Sequence, residues 1–154
     1  MKEVVLRDDE VALSQMIGRN RSLIARAARV KDAKIGGQDG AEADVMGFMA
    51  EYAFAKIFNV FPDIGLSPRS GSSDGELKGF HYDIKATSYK TGRLLCTTKN
   101  NPDVDIYVLA IVDSPKVTII GYAKKEDLIK EENLVDLGRG KGYALTQDQL
   151  NKFQ

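Results

Sequence analysis

Two residues near the middle of the chain, Asp83 and Lys85, are spaced so that they can act together. They lie in Phe80-His81-Tyr82-Asp83-Ile84-Lys85-Ala86-Thr87, where apolar and polar types alternate as in a half-buried strand. Alternation puts both on one strand face, about 6–7 Å apart. An ordinary polar face of an edge strand with an incidental ion pair carries the same residues. Glu51 adds weight to a chemical reading. Its same-face neighbours on a helix over 41–58 are Gly47, Phe54, Ala55 and Phe58. An acid inside that small and aromatic stripe is expected to be partly buried, and to need a cation or donors. The alternative is an acid that reaches solvent through a gap. A third acid, Asp74, stands in the turn Ser72-Ser73-Asp74-Gly75. Three carboxylates and one lysine could converge around a hard, oxygen-seeking cation such as Mg²⁺. Asp83 and Lys85 are then expected to look toward the Glu51 helix, with Asp74 beside them.

Asp74, then Asp83-Ile84-Lys85, with Glu51 on a preceding helix, resembles the PD-(D/E)xK nuclease superfamily pattern. Gly47-x-x-x-Glu51-x-Ala53-x-Ala55 is similar to that family's motif helix, and Lys85-x-Thr87 to a frequent extension after its lysine. The resemblance covers residues 40–123. Two departures stand out: Ser73 occupies the place of the proline before Asp74, and 89–104 reads as turn and strand where the family has a helix. The resemblance implies Mg²⁺-dependent hydrolysis of phosphodiester bonds in DNA, with Mn²⁺ substituting. It implies metal ligation by Asp74, Asp83 and the Ile84 backbone carbonyl, with Glu51 bound directly or through water. Lys85 would orient the attacking water and offset transition-state charge. Neighbouring acids would keep it protonated, which favours an electrostatic role over that of general base.

Other residues are candidates for gripping the nucleic-acid backbone: Arg69 before Asp74, and Thr87, Lys90 and Arg93 after the motif strand. Residues 19–34 carry Arg19, Arg21, Arg26, Arg29, Lys31 and Lys34 against Asp32, and Arg26 and Arg29 are expected to flank the acids. Two solvated surfaces of opposite sign would account for the same polarity. His81 falls on the Asp83 face by parity, and a lone polar-face histidine is usually only solvated. Cys96, with no base near it in sequence, reads as a buried spectator.

The elements that must position these groups follow from periodicity. Arg7-Asp8-Asp9-Glu10 opens a helix whose apolar positions run to Ala27, with a break at Gly18-Arg19-Asn20. The segment 35–40 is a turn. Strands are expected over 80–87, 93–98, 105–113 and 117–123, the third buried on both faces. A short helix follows over 124–130, and the tail offers at most one weak strand. This order is α/β with an α+β-like arrangement: a mixed central β-sheet flanked by helices, as in a restriction-endonuclease-like core. The 154 residues form one domain, with 1–37 a helical extension, 38–132 the core and 133–154 a C-terminal tail.

Apolar residues make up 43% and charged residues 29%, with 22 Lys+Arg balancing 22 Asp+Glu, which excludes a disordered or strongly basic chain. A single cysteine excludes a disulfide framework and a cysteine-based zinc site. There is no span-length apolar run and no signal-peptide core at the start, so a cytoplasmic, intracellular domain is expected, compact enough to be virus-encoded. It needs no membrane and no organic cofactor. A domain this small has little surface for reading sequence, so it is expected to act on DNA as a homodimer, on branched or structured forms. The alternative is a catalytically silent nuclease-like domain that binds DNA or a protein.

Overall fold

The computed structural model describes residues 1–27, 40–66 and 73–154. The chain starts with strand β1 (Lys2–Val5), then helices α1 (Asp8–Ala27) and α2 (Gly40–Phe58). Strands β2 (Gly75–Leu77), β3 (Phe80–Thr87), β4 (Leu94–Thr97), β5 (Ile106–Asp113) and β6 (Lys116–Lys124) follow. Helix α3 (Lys125–Leu128) and strands β7 (Leu134–Asp136) and β8 (Lys141–Leu145) complete the order. Among the described residues no helix is long and apolar enough to cross a membrane.

The fold is mixed α/β. A five-stranded sheet runs β1-β6-β5-β3-β2, and a second sheet runs β4-β8-β7. Among the described strands only β3 and β5 pair in parallel, with Asp83 opposite Tyr107 and Lys85 opposite Leu109. The crossover between them carries β4 and no helix, as the composition of 89–104 indicated. Strand β5 is buried from Ile106 through Val112, as its continuous apolar run requires. Its alternate residues divide the core in two. Val108 and Ala110 join Tyr82 and Ile84 under Met49, Ala50, Ala53 and Phe54 of α2. Tyr107 and Leu109 face Leu94, Cys96, Leu128 and Leu145 on the other side. Helices therefore lie on both faces, but the second is covered mainly by the small sheet.

Local chemistry explains the boundaries. The Arg7 amide donates to Glu10 Oε1 at 2.8 Å, a carboxylate three positions on reaching back to cap the start of α1. Asn59, at φ 55°, ends α2, and the Val60 amide donates to the Ala55 carbonyl at 2.9 Å. This is the left-handed stop that Asn tolerates. Lys78 and Gly79, at φ 51° and 85°, make the two-residue turn that joins β2 to β3.

Several expectations are corrected. Helix α1 is continuous through Gly18. A side chain there would run into the backbone of Val45, so this glycine lets two helices approach rather than breaking one. The tail forms two strands, β7 and β8, because they pair with each other and with β4 in a sheet that local alternation does not announce. Strands β1 and β2, too short to show a period, were not expected. Of the turn at 35–40, residues 35–39 lie outside the described residues, and Gly40 begins α2.

Candidate functional site: a carboxylate cluster at the sheet edge

The β2–β3 hairpin positions the first acid. Gly75 pairs with Tyr82, and just before the strand begins the Asp74 amide donates to the Tyr82 carbonyl at 2.9 Å, which ties Asp74 to β3. Asp74 Oδ2 then accepts the Ile84 amide at 2.6 Å. A residue's amide and carbonyl leave a strand on the same side, so the Ile84 carbonyl shares this edge with the Asp74 carboxyl.

Glu51 arrives from α2. Helices α1 and α2 run antiparallel, with Glu10 paired to Lys56 and Gly18 against Val45. Helical side chains lean toward their own N-terminus, so Arg21 and Glu51 lean toward each other along the pair. Arg21 Nη1 meets Glu51 Oε2 at 3.1 Å, with side-chain exposures of 14% and 16%. The buried carboxylate thus has the cation its apolar surroundings demanded. The charge of Glu51 also bears on the Asp74 carboxyl.

The electrostatics follow from this crowding. Burial is the largest cause pushing Asp74 well above the usual carboxylate range, followed by the charges of Glu51 and Asp83, while the Ile84 amide opposes them. The protonated form of Asp74 is therefore favoured. The Tyr82 phenol is pushed up to about 12 by burial and by the charges of Asp74 and Glu51. Its hydroxyl occupies the space where a side chain on Gly75 would stand.

Asp83 and Lys85 share a face, with Lys85 Nζ 2.9 Å from Asp83 Oδ2. For Lys85 burial alone would lower the pKa, but Asp83, with smaller help from Cys96 and Asp74, raises it, so the ammonium stays protonated. The expected direction of this face is corrected. Tyr82 and Ile84 point to α2, and Phe54 packs on the Tyr82 ring at 4.5 Å. Asp83 and Lys85 therefore point away from α2, toward the side of Tyr107 and Cys96. Asp74, next to the start of β2, feels the charges of both Glu51 and Asp83.

The structure thus sets Asp74 within reach of the charges of Glu51 and Asp83, bonds it to the Ile84 amide and pairs Lys85 with Asp83, but puts Glu51 and the Asp83–Lys85 pair on opposite sides of β3. Among the described residues no three His, Cys, Asp or Glu side chains form a ready metal-binding group. Thr87, Lys90 and Arg93 follow at the end of β3, and the exposed Lys90 and Arg93 flank a turn whose carbonyls at Lys90 and Gly92 accept from Gln147. Arg26 is exposed in the last turn of α1, and Arg29 and Arg69 lie outside the described residues. His81 is exposed, with Nδ1 3.3 Å from Ser73 Oγ. Cys96 is buried, and burial first of all raises its pKa. Sequence reading missed Arg21 as the partner of Glu51 and Tyr82 beneath Asp74. The need of Glu51 for a cation was the only signal for the first.

No family model matches this chain, and no curated protein or solved structure is significantly similar to it.

Proposed function

We propose that this protein is a Mg²⁺-dependent endodeoxyribonuclease of the PD-(D/E)xK kind, working as a homodimer on branched or structured DNA. The observation that carries the reading is the Asp74 carboxyl, held by the Ile84 amide at 2.6 Å with the charges of Glu51 and Asp83 acting on it. A protein gains little stability by crowding three acids, so the arrangement calls for a compensating cation.

The donor set fits Mg²⁺. This ion takes oxygen ligands, keeps several waters and needs only one or two carboxylates, which suits a site without a ready three-acid cage. Asp74, Asp83 and the Ile84 carbonyl would hold it, with Glu51 bound directly or through a water. When bound, the ion would polarise the scissile phosphate and acidify a water. Lys85, kept protonated by Asp83, offsets charge that develops on the phosphate oxygens. Thr87, Lys90, Arg93 and Arg26 would contact phosphates, as would Arg29 and Arg69.

One arrangement favours a second reading. Arg21 already compensates Glu51, as in a silent domain that keeps the nuclease frame and binds DNA or a protein. Incubation with supercoiled, linear, single-stranded and branched DNA decides between them. Cleavage with Mg²⁺ or Mn²⁺ and none in EDTA supports the nuclease. Binding in EDTA without cleavage of any form under either metal supports the silent domain.

A further inference from the structure

The Arg21 guanidinium uses three different nitrogens on three separate acceptors. Nη1 meets Glu51 Oε2 at 3.1 Å, Nε donates to the Gly65 carbonyl at 2.8 Å, and Nη2 to the Asp63 carbonyl at 2.6 Å. Its carbon lies 5.0 Å from the ring centroid of Phe48, which is 1% exposed. A planar fork used this way fixes direction as well as distance, which a lysine ammonium cannot do. Within the segment it grips, the Gly65 amide donates to Asp63 Oδ1 at 2.8 Å. Phe61 is 84% exposed, with Ile64 and Leu66 also exposed, so apolar burial does not fix the path of 59–66. Hydrogen bonds thus run from that segment through Arg21 to Glu51, whose charge bears on Asp74, itself bonded to the Ile84 amide.

We propose that Arg21 is a positioning residue of the site, holding the Glu51 carboxyl and the 59–66 segment in one fixed relation. This rests on the nuclease reading for its catalytic consequence, though not for the tether itself. Arg21 touches no reacting group. It sets where Glu51 stands, and so how well that carboxyl can be shared with a cation. Its other two bonds keep 59–66 docked beside the same carboxyl, at the rim where a substrate strand would approach.

The test compares wild type with Arg21→Ala and Arg21→Lys. Both variants should lower kcat on cleavable DNA by about tenfold, the lower end of the cost of losing a partner that orients a metal-site group. Half-saturating Mg²⁺ should rise by about the same factor, while KM for DNA stays within about twofold. A rise in KM with kcat unchanged would make Arg21 a DNA contact and overturn the proposal, as would an unmoved Mg²⁺ midpoint. Limited chymotrypsin digestion reads the tether without any activity. Cutting after exposed Leu66 should quicken by at least about fivefold in both variants, the local opening expected on losing at least one ordinary hydrogen bond, with cutting after exposed Tyr89 as the unchanged control. Equal rates at Leu66 in all three proteins would overturn the tether. A wild type that cuts no DNA, with cutting at Leu66 still quickened in the variants, would remove the nuclease reading and leave the tether standing.

Discussion

Asp74 Oδ2 accepts the Ile84 amide at 2.6 Å, a side-chain bond across the hairpin that holds this carboxyl beside the charges of Glu51 and Asp83. Burial and those charges favour its protonated form. Folding raises the Asp74 pKa, so the unfolded chain gives up this proton first as pH climbs above 3.8. The sign is a penalty: stability falls as pH rises from the unfolded toward the folded value, and the cost is complete above the latter. Asp74→Asn keeps an oxygen for the Ile84 amide and removes the cost. It should raise the unfolding midpoint at neutral pH by roughly 2–4 °C, the shift about 1 kcal/mol makes in a chain of this size. It should also abolish any stabilisation by Mg²⁺ and any cleavage. Calorimetry with and without Mg²⁺ checks both, and an unchanged or lowered midpoint would contradict the electrostatic account.

Glu10 behaves in the opposite sense. Burial would lift its pKa, but the Arg7 amide, the Lys56 ammonium and the Tyr52 hydroxyl together hold it below its ordinary 4.5. Its stabilisation is present above that unfolded value and is lost as pH falls through the folded one. Glu10→Gln should cost about 1–3 kcal/mol at neutral pH, because Lys56 loses its charged partner beside a buried side chain. The variant should also show a shallower loss of stability between about pH 5 and 3 than wild type, measured by urea unfolding across that range.

Lys85→Ala separates chemistry from folding. Its pair with Asp83 is partly exposed, so stability should move by no more than about 1 kcal/mol. Turnover should fall about 10²-fold or more, the scale for removing one electrostatic interaction with a transition state. Cleavage at the wild-type rate would remove Lys85 from the mechanism.

Gly18→Ala tests the helix crossing. Alanine is worth about 1 kcal/mol more than glycine within a helix. The new methyl must nonetheless displace the backbone of Val45, and overpacking of that kind costs about 1–3 kcal/mol. Net destabilisation is expected by thermal unfolding, and a stabilised variant would mean the helices can part freely.

Lys90 and Arg93 carry the phosphate prediction. Replacing both by glutamine should weaken DNA binding and flatten the plot of log affinity against log salt by about 0.9 for each phosphate that is no longer neutralised. A parallel plot with unchanged slope would take the turn after β3 off the binding surface.

Strand β3 was legible to the residue because alternation at period two is a local property, and β5 because a strand buried on both faces must be apolar throughout. The end of α2 was equally local, since Asn59 tolerates the left-handed turn that stops it. From those elements alone Asp83 and Lys85 had to share a face. Which way the face looks was a tertiary matter. Both sides of β3 meet packed layers, and it took Phe54 on Tyr82 to decide that α2 covers the opposite side. The short strands β1, β7 and β8 were illegible for a related reason: a few residues show no period, and their strand state comes from distant partners. The same limit hid Arg21. A buried glutamate announces that it needs a cation, but the identity of that cation depends on how two antiparallel helices cross at Gly18 and Val45.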